Sequence, residues 1–277
     1  MALSLDGVIS AVARLAEVEE AVARAAVHGE PGTQGGRALA LVGFDADSIQ
    51  EQVFASPRPV TIAGASQRLR RWDQGLADKD EFSGRPVVPL FSGGGQATLL
   101  TLEEHAPAVI DALEKQYESD TLGSTATAAF VPATLASLAS GNAVAGGVRL
   151  SDAHAARIGW SPEGGGGFGG VVSRLSAALR ARKGRARGAP GYLLGAGSAA
   201  RCEECAARPR DQRRTLCERC VKNRSLGGTA KSEWESAQTF EVVAKESGLL
   251  AFVAADGRGV GAVIQSLRTV AQSCAPS

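Results

Sequence analysis

Hydrophobic and polar positions alternate between two periods along this chain. Residues 4 to 28 place Val8, Val12, Leu15, Val18 and Val22 at helical spacing with Glu and Arg between them, which predicts one amphipathic helix ending at Glu30-Pro31-Gly32. The next signal is of another kind: Ala38-Leu39-Ala40-Leu41-Val42 is a short continuous apolar run, as in a strand buried on both faces. It ends at Asp45 and Asp47, and Ser48 with Glu51 reads as a capping box that starts a helix.

Pro57 and Pro59 break this pattern, and a second helix is expected from Gly64-Ala65-Ser66 through Leu76, carrying Arg68, Arg70 and Arg71. A helix start with Gly64 and Ser66 would offer free N–H groups to a phosphate, although a solvated basic face is the usual explanation. Arg85 to Leu102 reads as a hairpin turning at Ser92-Gly93-Gly94-Gly95. Thr101 and Glu104 suggest a cap for a helix with Val109, Ile110, Leu113 and Tyr117 on one face, and Thr125 to Val131 is a further strand. The order strand, helix, strand, strand, helix, strand is that of the split βαβ, or ferredoxin-like, α+β fold: four antiparallel strands backed by two helices. It would set Asp45 and Asp47 beside the Gly93–Gly95 turn, at the strand end where ligands gather. Asp45 and Asp47 merely capping a turn is the plain alternative.

Further on, Val171, Val172, Leu175 and Leu179 mark a helix from about Phe168 to Lys183 that ends in Arg and Lys. Between Arg174 and Arg224 there are 14 Lys or Arg against 4 Asp or Glu, a local charge of +10 in a chain whose 30 basic and 29 acidic residues otherwise nearly cancel. A global field is excluded, and the local cluster has two readings: basic residues that only favour the helix dipole, or a patch that touches nucleic-acid phosphates. Inside this segment lie Cys202-x2-Cys205 and Cys217-x2-Cys220, whose spacing predicts four thiolates around one structural zinc ion, a zinc ribbon with no open position for catalysis. Cys274 stands apart, and His28, His105 and His154 are scattered. Leu249 to Ala255 repeats the opening logic, an apolar run ending at Asp256-Gly257 and leading through Gly261 into a helix. No apolar stretch approaches the roughly 20 residues that span a bilayer, so the expectation is a soluble, cytoplasmic protein.

Taken in order, GFDADSIQEQVFAS, IAGASQRLR, LFSGGGQATLL, the four cysteines and LLAFVAADGRGVG resemble the large palm-domain subunit of type III CRISPR effector complexes, also called the CRISPR polymerase. The resemblance implies an N-terminal helix (1–36), a first palm, ferredoxin-like and GGDEF-like (37–187), a zinc ribbon (188–228) and the start of a second palm (229–277). It further implies antiviral defence, CRISPR effector subunits and guide and target RNA as partners, and ATP bound with Mg or Mn for cyclic oligoadenylate synthesis. Nucleotide-binding positions would be Asp45, Asp47, Ser48, Gly93, Gly94, Gly95, Asp256, Gly257 and Gly261. The family's GGDD hairpin is missing, and Gly93-Gly94-Gly95-Gln96 carries no acidic pair, so the chain is not expected to polymerise nucleotides alone. Two other readings stand beside this one: a zinc-ribbon nucleic-acid-binding protein, and a nucleotide-sensing palm without turnover.

Overall fold

The computed structural model describes residues 4–30, 33, 35–139, 167–185, 200–210, 213–229 and 270. Apart from Thr229 and Val270, the anticipated second palm, with Asp256, Gly257 and Gly261, lies outside them.

The amino-terminal pattern forms two helices where one was expected: α1 (Leu5–Ala16) and α2 (Glu20–His28). Glu17 takes a left-handed conformation (φ 56°), and the Val18 N–H donates to the Ala13 carbonyl, as in a Schellman cap. The valine spacing survives because both helices cover one core.

A five-stranded sheet follows, in the order β2-β3-β4-β1-β5. Its strands are β1 (Leu39–Ala46), β2 (Glu81–Phe82), β3 (Arg85–Gly93), β4 (Gln96–Leu102) and β5 (Ala126–Ala133). Every paired neighbour is antiparallel. Without the two-residue β2, the sheet has the ferredoxin-like arrangement that the residue pattern predicts. β1 is central, which accounts for its unbroken apolar run, and Pro132 is tolerated because β5 is an edge.

One face packs on α4 (Pro59–Ala77) and α5 (Ala106–Asp120). Ala40, Val42 and Phe44 meet Trp72, Leu113 and Tyr117 there, and the three aromatic rings of Phe44, Trp72 and Tyr117 lie 5.2–5.7 Å apart. The other face is covered as well, as the unbroken apolar run of β1 predicts. Leu39, Leu41, Val88 and Leu100 meet α1, α2, α6 (Leu135–Ala139) and α7 (Gly167–Arg185), and Val270 is buried in the same cluster. The N-terminal helices are thus part of the palm's own core.

Three local expectations fail. Ser48 has φ 49° and makes no capping hydrogen bond, and α3 (Ile49–Val53) is only five residues long. Thr101 remains in β4, where its hydroxyl donates to the Pro86 carbonyl, and α5 starts only after His105 with no side-chain cap. Helix α4 begins at Pro59, whose ring suits a first helical position, leaving Gly64 and Ser66 inside the helix without free N–H groups.

Candidate functional site

The end of β1 is built from two directions. Gly43 is bare because a Cβ there would stand 2.8 Å from Leu179 and 2.9 Å from Leu175 on α7. Without it, α7 lies directly over β1. Val171, Leu175, Leu179 and Lys183 recur every fourth residue, so the stripe that seats the helix ends in an ammonium group. Lys183 Nζ lies 2.8 Å from Asp45 Oδ2 and 3.1 Å from Asp47 Oδ1. Thr127 Oγ1 donates to both Asp47 oxygens at 3.2 and 3.4 Å. Burial alone would lower the Lys183 pKa, but bonding and proximity to the two carboxylates outweigh it and raise it. The residue pattern singles out the two aspartates and misses this lysine, whose only trace is its place in the fourfold stripe.

The glycine hairpin lies next to them: Asp45 is opposite Gln96, and the Ala46 N–H donates to the Gly95 carbonyl at 2.8 Å. Gly94 (φ 62°) and Gly95 (φ 79°) form the two-residue turn, both in the left-handed region. A Cβ on Gly95 would fall 2.4 Å from Ile49 Cδ1. Beside the turn a groove of about 690 Å³ runs between α3 and α4, lined by Ile49, Val53, Phe54, Leu69, Asp73 and Gly94, with Ser66 and Arg70 also on its wall. Asp73 Oδ2 accepts the Gly95 N–H at 3.2 Å. Its Oδ1 is buried with no hydrogen-bond partner among the described residues. Burial raises the Asp73 pKa, and the backbone N–H groups of Gly95 and Gly94 pull it partly back. Asp73 was missed because a lone acid inside a helical pattern carries no motif.

The four cysteines are brought together as their spacing predicts. The sulfurs of Cys202, Cys205, Cys217 and Cys220 all lie within 4.8 Å of one another, and none is in a disulfide. Cys205 and Cys217 are 3.8 Å apart. A tetrahedron with Zn–S bonds of about 2.3 Å has edges of about 3.8 Å, so the donor set fits a structural zinc ion with every position filled. The first pair sits on a turn where the Cys202 N–H bonds to the Arg208 carbonyl; the second opens α8 (Glu218–Gly228).

This knuckle is docked on the palm. Glu204, between the first two cysteines, accepts from Ser56 and Arg224 with its side chain almost wholly buried. Arg208 donates to the Leu122 and Gly123 carbonyls, Arg219 to that of Gln52, and Arg68 to Asn223 Oδ1 at 2.9 Å. Helices α4 and α8 touch through glycine: a Cβ on Gly64 would stand 1.8 Å from the Asn223 carbonyl oxygen, and one on Gly227 1.8 Å from that of Val60. A cleft of about 130 Å³ at this seam, lined by Ser124, Cys205 and Arg219, has room for a few waters and not for a nucleotide. Part of the +10 segment is thus turned inward, since Arg182 also holds Glu114 and the Ala128 carbonyl, whereas Arg180, Arg201, Arg210, Arg213 and Arg214 are exposed. No described helix is long and apolar enough to cross a membrane.

No protein-family model matches the sequence, and no curated protein does. Solved chains do match in shape, among them one described as "Crystal structure of apo Csm1-Csm4 cassette". It aligns with 63% of this chain at 14% identity and a TM-score of 0.36. The alignment spans 24% of that chain's length.

Proposed function

We propose that this chain is a nucleotide-holding palm module, stiffened by a docked zinc knuckle, that serves within an RNA-guided antiviral complex of the type III CRISPR kind and does not polymerise nucleotides alone. The order of sequence motifs, palm then four cysteines, supports the assignment to such a complex, with effector subunits, guide RNA and target RNA as partners in the cytoplasm. ATP is the expected ligand. Cyclic oligoadenylate synthesis would require acidic hairpin residues that Gly93-Gly94-Gly95-Gln96 does not supply.

Asp73 carries the nucleotide part of the reading. One oxygen of the Asp73 carboxylate is wholly buried and has no hydrogen-bond partner among the described residues, a cost of about 1–3 kcal/mol that a ligand's N–H would remove if the carboxylate turned toward the groove it borders. The apolar wall of Ile49, Val53, Phe54 and Leu69 suits a planar base, and adenine's exocyclic amine supplies the donor. Arg70 and Ser66 stand in the same groove, available to phosphates. Asp73→Asn keeps an acceptor for the Gly95 N–H and puts an amide donor where the free oxygen was. In titration calorimetry ATP should bind the unsubstituted chain more tightly than purine riboside triphosphate, whose base lacks the amine, and D73N should weaken ATP about tenfold with little effect on that analogue. ATP affinity unchanged in D73N would refute the groove as the base site.

The zinc-ribbon nucleic-acid reading is weaker, because Arg182, Lys183, Arg208, Arg219 and Arg224 are engaged with the palm or with Glu204. Co-purification with guide RNA and repeated backbone subunits would support the complex. Salt-sensitive RNA binding by the isolated chain, abolished by reversing Arg180, Arg182 and Arg185, would support the ribbon reading instead.

A further inference from the structure

Two carboxylates at the end of a palm's central strand would ordinarily call for a cation. Here the chain provides its own: Lys183 Nζ is 2.8 Å from Asp45 and 3.1 Å from Asp47, and each of the three side chains is about 30% exposed. We infer that Lys183 is the resident cation of this palm, occupying the position a divalent ion would take between Asp45 and Asp47, so that the module holds its ligand without a metal at that strand end.

The placement of the ammonium is built in at three levels. Gly43 lets α7 lie on β1, and the Leu175 and Leu179 contacts above it fix the helix one turn before the lysine. Arg182, the preceding residue, is tied by its guanidinium to the Ala128 carbonyl and, at 3.0 Å, to Glu114 Oε2. The last turn of α7 therefore cannot rotate the lysine away without also breaking the arginine's bonds. Thr127 orients Asp47 by donating to both of its oxygens, the kind of bond that holds a carboxylate ligand in place. An ammonium also makes longer contacts than a hard divalent ion, whose oxygen ligands lie at about 2.0–2.6 Å. The observed 2.8 and 3.1 Å are thus set for nitrogen, and a metal would need both the lysine displaced and the carboxylates drawn in. The inference deepens the nucleotide-holding reading, although its ion-binding part is measurable without any nucleotide.

The test is Mn²⁺ binding to the full, zinc-loaded chain, followed by electron paramagnetic resonance. Lys183→Met keeps the length and apolar stem of the side chain and removes its charge. K183M should bind at least tenfold more Mn²⁺ at 0.1 mM than the unsubstituted chain, and K183M/D45N should lose that gain. Lys183→Arg, which restores a cation, should return binding to the original level. K183Q should repeat the K183M result, and circular dichroism and zinc content identify a variant that has not folded. Two results would overturn the inference: Mn²⁺ bound by the unsubstituted chain and lost in D45N, or folded K183M and K183Q that both bind no additional Mn²⁺. Failure of ATP to bind refutes the nucleotide reading alone, since none of these measurements contains ATP.

Discussion

Helix α4 carries two interior glycines with opposite surroundings, and this makes the knuckle's docking measurable. At Gly75 an added Cβ meets nothing within 4 Å, so Gly75→Ala should stabilise by the ordinary helix preference, about 0.5–1 kcal/mol. At Gly64 the same methyl group would lie 1.8 Å from the Asn223 oxygen, 2.6 Å from its carbonyl carbon and 2.9 Å from the Gly227 nitrogen. Ordinary contact distances require α8 to retreat by roughly 1.5 Å. A gap of even 0.5–1 Å already forfeits about a quarter to a half of each dispersion contact across it. Overpacking of this kind costs about 1–3 kcal/mol, so the two alanines should differ by about 1.5–4 kcal/mol with opposite signs. Urea unfolding of the zinc-loaded chain measures the difference, and the rate of zinc release to a chelator shows whether the loss falls on the knuckle. Gly227→Ala should mimic Gly64→Ala, and the double variant should cost less than the sum, because one separation relieves both clashes. Gly64→Ala as stable as Gly75→Ala would refute the close crossing.

Other outcomes follow from the same contacts. The raised Lys183 pKa means that its stabilisation is complete at neutral pH and is lost as pH rises past the ordinary lysine value of 10.5; the stability gap to K183M, followed by thermal unfolding, should be flat from pH 7 to 9 and narrow above that. Asp73 has the opposite sign: its carboxyl is pushed above 3.8 by burial, so ionisation costs stability as pH rises through and beyond that value. D73N should then be the more stable form at pH 7 and lose this advantage in acid, as read by unfolding midpoints. Cys202→Ser, or chelation, should release zinc and open residues 200–229 to proteolysis while the sheet core, which contains no cysteine, keeps its hydrogen-exchange protection. Gly95→Ala, with strain and a clash at Ile49, should destabilise by more than Gly94→Ala, which has strain alone at about 1–2 kcal/mol; urea midpoints rank them.

What was legible in the sequence is what a local period encodes. The apolar run of β1, the glycine turn and the face of α5 each announce themselves within about fifteen residues, and the split βαβ order then brings Asp45 beside Gly95 without any tertiary information. The cysteines were legible for the same reason, since metal geometry is written into their spacing. The failures share a cause. Ser48 and Glu51 satisfy a capping pattern, but the turn out of β1 forces Ser48 to positive φ and removes its side chain from the task. Gly64 looked like a helix start because a glycine held bare for a partner far along the chain is locally indistinguishable from one held bare for a turn. Lys183 read only as one of the basic residues closing a helix, because a basic C-terminal turn stabilises a helix whether or not anything faces it. Its role appears only once Gly43 is seen to admit α7, and the same step changes the functional reading. Two aspartates at a strand end suggest a metal; two aspartates already bridged by a lysine describe a palm whose fold keeps the cation position for itself.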